Sequence, residues 1–119
     1  MNWTQKPSLT KEKTMNEDVK TQLIRFIADM FEVEKIEDLS IKTRKQPICI
    51  ARQVCMFMLM EYGEEHASIV GPAFKVDRTS ANHAFKTVTN EYRTNKKFNA
   101  KLDIIIEKFF TLNALPLRV

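Results

Sequence analysis

Glycine is nearly missing from this chain of 119 residues: Gly63 and Gly71, both near its middle, are the only two. A β-sandwich or barrel needs turn glycines at short intervals, so the scarcity argues against an all-β architecture. Cysteine is equally scarce. Cys49 and Cys55, the only pair, lie six residues apart, on different faces of a helix, and cannot bridge each other. No second Cys or His pair supplies zinc spacing, so both are expected to be free core thiols in a reducing compartment, with no metal site. The longest apolar stretch, Val54 to Met60, falls far short of the ~20 residues that span a bilayer. The N-terminus also lacks the apolar region of a signal peptide. A cytoplasmic protein without a membrane partner is expected. No nucleophile or acid is placed beside His66 or His83 by spacing, so neither supports catalysis, and no enzyme or cofactor is expected.

What is present suits one soluble domain. The hydrophobic share is 44% and the charged share 29%, with eight Phe and six Met to fill a core. Runs of Lys, Glu, Met, Phe and Ile between polar turns favour helices. The net charge is +4, and its distribution matters more than its size. Asp29, Glu32, Glu34, Glu37 and Asp38 form an acidic stretch, and Glu61, Glu64 and Glu65 a second. Between them Lys42, Arg44, Lys45 and Arg52 meet no acid, and from Lys75 to Lys101 seven bases face two acids. Two separated basic segments suggest a polyanion partner, or simply two solvated helix faces.

Periodicity divides the chain. Residues 1–15, with Trp3 and Pro7, show no pattern and are expected to form a mobile arm. The folded domain is expected over residues 16–112, and residues 113–119 as a loose tail. Asn16 is a plausible N-cap for a helix to about Phe31, whose apolar face carries Val19, Leu23, Ile27 and Met30. Val33, Ile36 and Leu39 mark a short connector, and Ile41 to Pro47 a basic loop. A second helix from Pro47 to about Tyr62 is apolar nearly all round and is therefore expected at the centre, with Met56, Met58 and Met60 in the core and Gly63 as its C′ residue. Three more helices are expected, over about 67–74, 78–94 and 96–110, with Lys75-Val76 as a tight turn and Asp77 capping the fourth. Phe57, Leu59, Phe74, Phe85 and Val88 are expected to be buried. The result is an all-α bundle of about five helices. Two short helices joined by a tight turn, the second opening with polar and basic residues, outline a helix-turn-helix.

Three pieces then arrive in order: D-L-S-I-K-T-R-K (Asp38 to Lys45), A-R-Q-V-C-M (Ala51 to Met56) and G-P-A-F-K-V-D-R-T-S-A-N-H-A (Gly71 to Ala84). Together they resemble the C-terminal DNA-binding domain of the bacterial replication initiator family DnaA, whose signature reads G-x-A-F-G-x-R-D-H-T-T-V-x-H-A. The likeness extends over roughly residues 18–94. It implies a helix-turn-helix fold and double-stranded DNA as partner. It further implies that Asp77, Arg78 and Thr79, with Ser80 beside them, face base edges in the major groove. Arg44 matches the position of a minor-groove arginine, with Lys42, Lys45 and Arg52 as backbone contacts. Lys75 and Lys86 join this DNA-binding set, with Lys86, like Arg93, Lys96 and Lys97, a generic phosphate contact at most.

The departures are specific. Arg78 replaces the family's His, Ser80 a Thr, Ala81 a Val and Ala51 a Pro. The turn is one residue shorter, with Lys75-Val76 in place of the family's glycine and arginine. These changes gather on the reading head, so the family's own target sequence does not carry over. A chain with two glycines holds no phosphate-binding G-x-x-x-x-G-K-[ST], so no nucleotide is expected. The family's ATPase is thus expected to be missing, as in an excised domain or a stand-alone product of a phage or mobile element.

Taken residue by residue, Arg78 is read as a bidentate guanine contact and Asp77 as a cap more than a reader. Thr79 and Ser80 are divided evenly between DNA contact and first-turn filler, and His83 is assigned to packing or local hydrogen bonding. The leading function is sequence-specific duplex binding in replication initiation or its regulation. The competing one is a protein-interaction module contacting host replication or transcription proteins, with the Glu61, Glu64, Glu65 patch as its surface.

Overall fold

The central helix is set by its apolar density. In the computed structural model, which describes residues 17–41, 43 and 45–114, eight of the fourteen residues of α2 (Ile48–Glu61) are buried. Around it lie α1 (Glu17–Met30), a 3₁₀ turn at Ile36–Ser40, α3 (Ala67–Ala73), α4 (Arg78–Thr94) and α5 (Lys96–Ala114). No strand occurs among the described residues. The fold is all-α, as expected.

Helix α2 packs chiefly on α4, α3 lies across α4, and α1 pairs with α5. Each contact follows from side-chain size. Ala81, Ala84 and Val88 form the buried face of α4, and two alanines let that helix approach α2 closely. Phe57, fully buried on α2, meets the ring of Phe85 at 5.1 Å between centroids. Helix α5 is seated by Tyr62, Phe109 and Phe110, whose centroids lie 5.1–5.7 Å apart, within the range of favourable ring pairs. Phe98, Leu102, Ile105, Ile106 and Phe109 complete its inward face.

Several details differ from expectation. Phe85 is half-buried rather than buried, because its ring closes the edge of the core. Met60 is likewise only half-buried, unlike Met56 and Met58. Helix α5 runs to Ala114, beyond Phe110: Leu112 still packs on the core, and the Asn113 carboxamide donates to the Phe109 carbonyl at 3.0 Å. Gly63 follows α2 but is not left-handed. That conformation falls to Glu64 (φ 56°), while the N–H groups of Gly63 and Glu65 close the helix end on the Met58 and Leu59 carbonyls. The Lys20 ammonium ties α1 to this corner through Glu65 at 2.7 Å. Residues 1–16, including the expected arm and cap, and residues 115–119 lie outside the described residues.

Candidate nucleic-acid interface

The turn between α3 and α4 is built without glycine at its tip. Phe74 and Val76 donate to the Gly71 carbonyl at 2.9 and 3.0 Å, and Lys75 donates to Pro72 at 2.9 Å. Lys75 takes a left-handed backbone (φ 62°), a conformation that costs an L-residue roughly 1–2 kcal/mol. Glycine is required one helical turn earlier. A Cβ on Gly71 would lie 2.5 Å from the Asp77 carbonyl oxygen and 2.8 Å from its carbon. The absence of a side chain at Gly71 therefore sets how closely α3 meets the start of α4. Asp77 then caps α4, its Oδ1 accepting from Ser80 N–H at 2.8 Å; such a cap contributes about 1 kcal/mol.

Opposite the buried stripe of α4, residues Thr79, Asn82, His83 and Lys86 follow the i, i+3, i+4, i+7 spacing of a single helical face. All four are exposed, and so are Lys75, Asp77, Arg78 and Ser80. Two open grooves flank this stripe. On one side Thr79, Ser80 and His83 face Gln46, Cys49, Arg52 and Gln53 across a space of about 600 Å³. On the other, Arg78, Thr79 and Asn82 face Glu65 and His66 across about 510 Å³. The face has the form of a helix with its first two turns offered to a groove.

The basic loop stands on the first of these sides, and Arg52 holds it. The Arg52 guanidinium is buried and donates to the Ile41 and Thr43 carbonyls, at 2.8 Å each. It is thus engaged within the protein, holding the loop from beneath. Lys45 is exposed, with its backbone N–H held by Thr43 Oγ1 at 3.1 Å. Lys42 and Arg44 lie outside the described residues.

The remaining expected contacts separate by distance along α4. Lys86 shares the outward stripe, whereas Arg93 lies about 21 Å beyond Thr79 at ~1.5 Å per residue. Lys96 and Lys97 lie farther still. These three bases do not join the exposed face at the start of α4. His83 is exposed rather than packed, with a 3.4 Å contact to Thr87. Asn82 was missed by sequence reasoning because the signature leaves its position variable; its one available signal was the i+3 spacing from Thr79.

A tight turn, a close glycine contact and a capped helix with an exposed polar leading face define a helix-turn-helix protein of the DNA-binding class. The chain belongs to the bacterial DnaA helix-turn-helix family: the model described as "Bacterial dnaA protein helix-turn-helix" matches residues 21–88. Among curated relatives, the chromosomal replication initiator protein DnaA of Desulfotalea psychrophila is 29% identical over 94 residues, 78% of this chain and 19% of that protein. The DnaA of Flavobacterium psychrophilum is 33% identical over 85 residues, 71% of this chain and 18% of that protein. The chain therefore spans about a fifth of the length of these relatives. No solved structure matches it. Among the described residues, no helix is long and apolar enough to cross a membrane.

Proposed function

We propose that this chain binds double-stranded DNA sequence-specifically, with α4 in the major groove and the basic loop at the adjacent minor groove, in replication initiation or its regulation. The observation that carries the reading is the exposed leading face of α4, where Thr79 and Ser80 stand beside a loop held by a buried arginine and Arg78 lies on the opposite edge. Arg78 supplies a fork for guanine O6 and N7. Lys45, Lys75 and Lys86 supply phosphate contacts, and the sequence adds two further bases, Lys42 and Arg44, between Ile41 and Lys45. The kinship with replication initiators supports the process, and the substituted reading head implies a target of its own.

The test is selection of preferred duplexes from a random pool by the 119-residue chain, followed by a salt titration. The reading predicts a shared motif and an affinity that falls with salt by a slope of about −0.9 per phosphate neutralised. A second reading, a module that docks on replication or transcription proteins, draws on Ile69, which is 61% exposed on α3. Its acidic surface is partly spent, since Glu65 is paired with Lys20. Absence of duplex binding even at low salt selects this second reading.

A further inference from the structure

We infer that Asn82 is a second base-reading residue of this chain, and that it recognises an adenine beside the guanine read by Arg78. The inference deepens the duplex-binding proposal and rests on it. Three other asparagines show what a structural carboxamide does in this fold. Asn95 Oδ1 caps α5 by accepting from Lys97 and Phe98 N–H, both at 3.1 Å. Asn99 donates to the Tyr92 carbonyl at 3.0 Å, and Asn113 to that of Phe109 at 3.0 Å.

Among the described residues Asn82 makes no such bond: it is exposed and lines the groove that also holds Arg78. The position decides the role. Asn82 lies one turn after Arg78 on the same edge of α4, about 6 Å along the axis at ~1.5 Å per residue. That is one to two base steps of a duplex with ~3.4 Å rise. Asn90 is also exposed, but it lies about 18 Å from Arg78 along the axis, too far along to share the reading end. A carboxamide matches adenine in the major groove, donating to N7 and accepting from N6, as the Arg fork matches guanine. Helix α4 thus carries a guanine reader and an adenine reader on one edge, with Thr79 and His83 on the adjoining face.

The test uses the 119-residue chain, its selected duplex, and variants of that duplex changed one base pair at a time. Asn82→Ala should lose about tenfold of preference at a single A·T position while retaining the guanine preference and the wild-type melting temperature. Asn82→Arg should shift the preference at that same position towards G·C. Two results overturn the inference while leaving duplex reading intact: an unchanged preference at every position in Asn82→Ala, or an equal loss on all duplexes, which marks a phosphate contact. A wild-type chain that selects no motif overturns the duplex-reading proposal and this inference together.

Discussion

Helices α2 and α4 lie against each other and use their residues in opposite ways. Along α2 every residue from Val54 to Leu59 is buried, and even Arg52 is drawn inward to hold backbone carbonyls. Along α4 only Ala81, Ala84 and Val88 are buried, so most of a seventeen-residue helix faces outward. The recognition helix is positioned by small side chains, a cap and a close glycine contact, none of which projects from its leading face. Residues on that face can therefore change without disturbing the core. This explains how Arg78 and Ser80 depart from the family pattern while the fold stays in it.

The contrast is broken most severely on the α2 side. Phe57→Ala removes a fully buried ring and should cost ~3–5 kcal/mol in denaturant unfolding. A loss near 1 kcal/mol would mean that α2 is not the hub. Gly71→Ala comes next, because the new methyl meets Asp77 backbone rather than a yielding side chain. It should cost about 1–3 kcal/mol and weaken selected-duplex binding even at temperatures where the variant is fully folded. Arg52→Met should cost about 1–2 kcal/mol, by loss of two charge-assisted bonds to the loop. Its affinity should fall by a similar factor on every sequence, since it holds the loop and reads no base; a change in sequence preference would make it a reader.

The smallest effect concerns alkali. Burial would lower the Lys20 pKa, but the hydrogen bond and charge of Glu65, with Glu17 behind them, outweigh it and raise the value above 10.5. Burial, and the bond to Asp103, push the Tyr92 phenol up to about 12. Both groups favour their protonated form in the folded state. Their contribution is therefore complete below the unfolded values and is lost as pH rises through the raised ones. Burial pushes the Cys55 thiol up from 9.0 in the same sense, so stability should be level to about pH 9 and fall above it, and Lys20→Met should remove part of that fall at a cost of ~1 kcal/mol or less at neutral pH.

Much of this was legible in the residues. Apolar spacing located all five helices, and Asp77 announced the start of α4, because periodicity and capping are local. What escaped depends on neighbours distant in sequence. Arg52 is grouped with the loop bases until the Ile41 and Thr43 carbonyls are seen to face it. The left-handed position after α2 falls to Glu64 instead of Gly63, since the backbone there is set by how the chain enters α3. Asn82 carries no distinguishing local pattern, and only its exposed place in the groove with Arg78 draws it out.

The account turns on Arg78 as a reader of sequence rather than a holder of phosphate. The direct measurement is titration of wild type and Arg78→Ala on the selected duplex and on a scrambled duplex, at one salt concentration. A bidentate guanine contact is worth ~1–3 kcal/mol of discrimination. Arg78→Ala should therefore lose about tenfold or more on the selected duplex, much less on the scrambled one, and relax the preference at a single G·C pair. An equal loss on both duplexes would contradict the assignment of α4 as the reading helix.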